Sequence, residues 1–226
     1  MLIELSHPIE EGMPMWPTNP SEKFIAEASS ARGDVNNASS IFHHLHTGTH
    51  VDAPSHFDPN GKPIDRIPIE NFYFENPCLI ELPKQKGSLI TLADLECMRE
   101  KIEKCDILMI HTGYSLIRST NVDAFTDDFP SLAPDAALYL RKEFPNLKAI
   151  ALDTLSADSA VTGARDGFPS HHALLDTNTS RTERTLLIFE DVNTARVVGK
   201  KINCIFAFPL RLKGLEASPV AMVAVI

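Results

Sequence analysis

His46-Thr47-Gly48-Thr49-His50-Val51-Asp52-Ala53-Pro54-Ser55-His56-Phe57 places four side chains that bind metals or move protons within eleven positions. An ordinary helix is excluded, because Gly48 and Pro54 interrupt it and Thr47, Thr49 and Val51 are β-branched. In an extended segment alternate side chains share a face, so His46, His50 and Asp52 are expected to point the same way. Two imidazoles and a carboxylate converging from one strand form half of a site for a borderline divalent cation, Zn²⁺ or Mn²⁺. Pro54 ends the strand and lets His56 approach from a turn, which suits a group that moves protons beside the metal. Packing explains the pattern poorly. No core needs three polar residues on one strand face, and a solvated edge strand would carry Lys, Glu or Thr instead.

Around this stretch the chain alternates short apolar runs with a few helical patterns. Runs 78–82, 107–111, 149–152, 186–189, 202–208 and 220–226 are mostly bounded by Gly, Pro, Asn or Asp, as buried strands are. Thr91 opens a helical pattern that runs to Lys104: it can cap the first turn with Asp94, and Leu95, Met98 and Ile102 line one face. Pro134–Phe144 reads as a second helix with Leu138, Leu140 and Phe144 inward, and Ser170 or His171 begins a short third. The irregular alternation predicts a mixed α/β protein, a single domain over residues 1–226, without repeats or linkers.

Composition bounds the function. The 226 residues are 43% hydrophobic and 23% charged, enough for one substantial core. Net charge is -9 and the basic residues are scattered, which argues against nucleic acid as a partner. The N-terminal residues lack the pattern of a signal peptide, and no run approaches membrane-spanning length. Cys78, Cys97, Cys105 and Cys204 form no Cys-x-x-Cys pair, and they are expected to be reduced and mostly buried in a cytoplasmic protein.

The motif, in which every fixed position of His-x-Gly-Thr-His-x-Asp-x-Pro-x-His-Phe is present, resembles the signature of the cyclase family of metal-dependent hydrolases, which includes bacterial kynurenine formamidases and isatin hydrolases. Further segments are similar to family blocks: Leu5–Ile9 with Gly12–Pro17, Ile107–Tyr114, Asp153–Asp158 and His171–Leu175. The resemblance implies a swivelling β/β/α fold. It implies that His171 and Glu190 join His46, His50 and Asp52 as metal ligands, with His172 and Glu183 as the neighbouring alternatives. Asp52, the carboxylate of the ligand-bearing strand, is the natural bridge between two ions, which lie about 3.5–4 Å apart in such sites. The expected centre holds one ion on His46, His50 and Asp52 and the other on Asp52, His171 and Glu190, with Zn²⁺ ahead of Mn²⁺. Asp153 and Asp158 are expected either to orient ligands or to serve local turns.

The activity implied is hydrolysis of an N-formyl aryl amide to formate and an arylamine by a metal-activated hydroxide, with His56 relaying the proton. An isatin-type cyclic amide hydrolase and an inactive metal-binding protein are the alternatives. Trp16 is expected to stack on an aryl substrate. Family members usually continue Trp-Pro with Gly-Asp, whereas here Thr18-Asn19 follow, so the substrate itself stays open. A small-molecule substrate and a homodimer or homotetramer complete the expectations.

Overall fold

The computed structural model describes residues 1–180 and 184–226. Its framework is one nine-stranded sheet. From one edge the order is Tyr73–Phe74, Cys204–Pro209, Ala217–Val225, His50–Asp52, Leu187–Glu190, Ala149–Leu152, Ile107–His111 and Pro77–Glu81, with Leu2–Glu4 also paired to Ala217–Val225. The last four strands of this order run parallel to one another, and all other pairings are antiparallel. The short strand His50–Asp52 is the joint between the two halves. It pairs with Leu187–Glu190 on one side, placing His50 opposite Glu190, and with Ala217–Val225 on the other, placing Asp52 opposite Ala217.

Alternation along the parallel strands feeds two cores. Leu108, Ile110, Ile150, Leu152 and Ile188 face the helices Leu92–Glu96, Pro134–Glu143 and Pro169–Leu175, where Leu95, Leu140 and Leu174 meet them. Ile107, Met109, Ala149, Ala151 and Phe189 face the opposite way. They share a core with Phe74, Ile205, Ala207 and Met222 from the antiparallel half, so the sheet curls until it is nearly closed. Burial on both faces is why these strands read as continuous apolar runs. Each buried side chain such as Phe189 contributes about 1.5–3 kcal/mol.

The predicted mixed α/β fold is what forms, with some local corrections. The extended reading of residues 46–52 holds only for His50–Asp52. Gly48 takes φ +70°, so the chain turns before the strand begins and His46 arrives from that turn; the Met13 side chain fills the space a Cβ would need there. The helical pattern from Thr91 keeps its capping box but forms two short helices, Leu92–Glu96 and Arg99–Ile102, because Met98 at φ -106°, ψ 7° leaves the helical basin. In the helix Pro134–Glu143 and its cap, Leu140 and Phe144 are buried as expected, and Leu138 is half-buried but packs against the same core with Ala136 and Ala137. Among the cysteines, all free, only Cys105 is buried and Cys97 is exposed. No described helix is long and apolar enough to cross a membrane.

Candidate metal centre

The carboxyl ends of the parallel strands, beside the joint, bring the sequence-predicted residues together, as ligand sites in open α/β sheets do. Register explains half of the arrangement: Glu190 is the last residue of its strand and lies across from His50. Nε2 of His50 is 3.4 Å from an Asp52 oxygen and 3.4 Å from Glu190 Oε2. His46 Nδ1 lies 2.9 Å from Asp52 Oδ1. His171 enters from the helix Pro169–Leu175, with Nε2 3.5 Å from Asp52 Oδ2 and 3.2 Å from Glu190 Oε1. Asp52 is therefore in contact with all three imidazoles.

Ligand-type atoms of His46, Asp52 and His56 form one group within 4.8 Å, and those of His50, Asp52 and Glu190 form another. Asp52 belongs to both. The donor atoms fit a divalent cation. Nε2 of His50 and both oxygens of Asp52 are buried without a hydrogen-bond partner, although nitrogens and oxygens approach within 2.9–3.5 Å. Their lone pairs converge without the directions that hydrogen bonds require. Buried polar atoms left this way are costly unless another partner satisfies them, and a His/carboxylate donor set is the chemistry that Zn²⁺ or Mn²⁺ takes.

The charges follow from the same contacts. Burial works against protonation of His50 and His171. Asp52 and Glu190 outweigh it for the first, and Asp158, Asp52 and Glu190 for the second, holding both well above the ordinary histidine value. His46 is raised against its burial by Asp52. The imidazoles in turn overcome burial to hold Asp52 well below the usual carboxylate range and Glu190 down to about 2. Protons and a cation thus compete for the same nitrogens. His56 differs. Burial, with His46 and His171 nearby, outweighs the pull of Asp52 and lowers it to about 4, leaving a neutral imidazole at neutral pH. Its ring stacks on His46 at 4.0 Å from the short turn Pro54–His56, as the proline predicts.

Surrounding groups set the orientation. Asp158 accepts from Nδ1 of His171 at 2.6 Å and from the backbone N–H groups of Ser170 and His171 at 3.0 Å, so it fixes both the ring and the first turn of the helix. Arg141 holds the other end of that helix by donating to the carbonyls of Ala173 and Asp176. His172, the neighbouring alternative, is partly exposed and pairs with Asp176 at 3.2 Å, away from the cluster. Glu183 lies outside the described residues. Asp153 touches no predicted ligand; it organises the turn after Ile107–His111 by accepting from Thr112 and Gly113. Glu216 escaped sequence reasoning: its Oε1 lies 3.4 Å from His46 Nε2, and no local pattern around it signals this. An Asp158→Asn change should weaken cation affinity by about 10–100-fold, read by competition with a chelator; unchanged affinity would remove Asp158 from the orienting role.

A cavity of about 260 Å³ opens over the cluster, lined by Trp16, His46, His56, Phe57, Phe168 and His171 among others. Trp16 and Phe168 pack with tilted rings 5.8 Å apart, and Phe57 lies 5.7 Å from Phe168. Phe168 holds φ +52°, strained for a residue with a side chain, at the start of the His171 helix. Sequence gave no sign of it, since glycine or asparagine is the usual mark of that conformation.

The Cyclase family model matches residues 3–159. A kynurenine formamidase from Geobacillus thermodenitrificans is 29% identical over 172 residues, covering 76% of each chain. A solved structure described as a predicted metal-dependent hydrolase from Bacillus stearothermophilus is 25% identical at a TM-score of 0.74, over 99% of this chain and 97% of that one. Isatin hydrolase A from Ralstonia solanacearum superposes at a TM-score of 0.80 over 99% of this chain and 91% of its own. At 19% identity that likeness speaks for the fold alone, the swivelling β/β/α arrangement expected from the motif.

Proposed function

The chain belongs to the cyclase family, and on that premise we propose that it is a divalent-metal-dependent amidohydrolase that cleaves an N-formyl aryl amide to formate and an arylamine. The observation that carries this reading is the Asp52-centred cluster of orphaned donor atoms beneath an aromatic-walled cavity. His46, His50, Asp52, His171 and Glu190 would hold two ions, with Asp52 shared. When bound, such ions supply Lewis acidity, lowering the pKa of water and polarising a carbonyl. The protein supplies the rest. Trp16, Phe57 and Phe168 receive the aryl ring and exclude water. His56, neutral and at the cavity wall, takes a proton from the attacking water and returns it to the leaving nitrogen. The formamidase relative supports this substrate class.

A cyclic amide of the isatin kind is the second reading. The aromatic cavity wall of Trp16, Phe57 and Phe168 favours it, because a fused ring packs against that wall without needing an extended tail. A metal-binding protein without catalysis is the third, and the placement of His56 beside the cluster weighs against it. Cytoplasmic residence is supported by the four free cysteines. Self-association is supported by the ribbon of Lys23–Ala28 and Ala38–Phe42, which leaves Phe24, Ile25, Ile41 and Phe42 exposed; a two-stranded ribbon is marginal in water without something packed on it.

The test is hydrolysis of N-formylkynurenine and of isatin by protein stripped with a chelator and reloaded separately with Zn²⁺ and Mn²⁺. Stripping should abolish turnover and reloading should restore it, with the formamide preferred. Preference for isatin moves the protein to the cyclic-amide reading. Full activity in stripped protein rejects metal dependence.

A further inference from the structure

Behind the cluster lies an ion pair for which the chemistry above has no use. Arg118 and Asp191 are 5% and 1% exposed. Nε of Arg118 donates to the two Asp191 oxygens at 2.7 and 2.9 Å, and Nη2 donates to Oδ2 at 2.6 Å. Asp191 directly follows Glu190, and its backbone is held at φ +51°, a region uncommon for an aspartate and costly to maintain.

The rest of Asp191 ties the two ligand-bearing strands together. Its carbonyl oxygen accepts from Thr49 Oγ1 at 2.6 Å, and Thr49 is the neighbour of His50. Its N–H donates to the Thr154 carbonyl at 2.9 Å. Thr49 Oγ1 also accepts from the N–H of His7 at 2.9 Å, and the His7 ring lies 3.8 Å from the Asp191 carboxylate. One residue thus links the end of the strand carrying Glu190 to the start of the strand carrying His50. Arg118 supplies the countercharge that keeps it there.

We propose that Arg118 is a positioning residue: its forked grip on Asp191 sets the separation of Glu190 from His50, and with it the cation affinity of the centre. The inference rests on the reading of the cluster as a metal centre. Its reach is short. The Glu190 carboxylate meets His50 at 3.4 Å and accepts from the Ala157 N–H at 2.6 Å, so both contacts depend on where the strand end held by Asp191 places Glu190. Lysine in place of arginine keeps the charge but loses the planar fork that fixes the Asp191 carboxylate in one orientation.

Removing Arg118 alone strands a buried carboxylate and destabilises the fold whatever its role. The informative variant is therefore Arg118→Met with Asp191→Asn, in which both charges go and asparagine still tolerates the left-handed backbone. The measurement is Co²⁺ affinity by chelator competition, with the visible spectrum of the bound ion as the readout of ligand geometry. The double variant is expected to melt close to the wild type yet bind Co²⁺ about 10–100-fold more weakly, with an altered spectrum. Wild-type affinity and spectrum in that variant would overturn the proposal. Should it fail to fold, Arg118→Lys decides: weaker Co²⁺ binding with a shifted spectrum supports positioning, and wild-type binding overturns it. If the unaltered protein takes up no Co²⁺, Zn²⁺ or Mn²⁺, the metal centre falls first and Arg118 loses this role with it.

Discussion

Asp52→Asn protein is expected to lose at least about 10³-fold in turnover, because several kcal/mol of charge stabilisation leave with the cations and each 1.4 kcal/mol is tenfold. The amide fills the same volume but removes the charge that three imidazoles share. Asp52 is fully buried and contacts His46, His50 and His171, so no neighbouring carboxylate can replace it at both groups. Cation content, measured by atomic emission after dialysis, should fall together with activity. The fold should survive, since the backbone pairing of His50–Asp52 with both neighbouring strands does not involve the side chain. His172→Ala is the control. That side chain points away to Asp176, so metal content and turnover should stay at wild-type levels. Full turnover in Asp52→Asn would sink the metal-centred reading of the site.

The parts of this site that were legible in the sequence share one property: their residues are close in the chain or end a recognisable element. His46, His50, Asp52 and His56 lie in one motif, and Pro54 announces the turn that presents His56. Glu190 closes an apolar strand, but it is the resemblance to the cyclase family that marks it, with His171, as an expected ligand. His171 and His172 are indistinguishable by sequence because neighbouring residues on a helix differ only in the direction they face. The helix docks so that His171 is 3% exposed. What could not be read depends on distant pairing. Glu216 reaches His46 only because Ala217 pairs with Asp52 across the sheet. Arg118 and Asp191 are 73 residues apart and carry no common pattern. The same limit explains the misread extent of the strand: Gly48 looked compatible with an extended segment, and only its φ of +70° in the fold shows that the chain turns there.

His56→Ala separates proton transfer from cation binding. Its ring lies 4.0 Å from that of His46, and its ligand-type atoms fall within 4.8 Å of those of His46 and Asp52, so geometry alone would admit it as a ligand. One observation favours the proton-moving role: its ring lines the aromatic cavity, where a leaving nitrogen would sit. Its imidazole, held down to about 4 chiefly by burial, is neutral at neutral pH, the form that either accepts a proton or binds a cation. A positioned general base contributes about 10²–10⁴-fold, so turnover of the variant should fall by that factor while cation content per chain stays at the wild-type value. The pH profile should change as well, since the group that accepts the proton has gone. A variant that loses cation in proportion to activity would make His56 a ligand, and the proton would then have to pass through another group. Glu216 is the nearest alternative on the same side of His46, and its carboxylate, held down to about 2 chiefly by His46, is a much weaker base. Residual activity in the double variant His56→Ala with Glu216→Gln would show whether any is carried there.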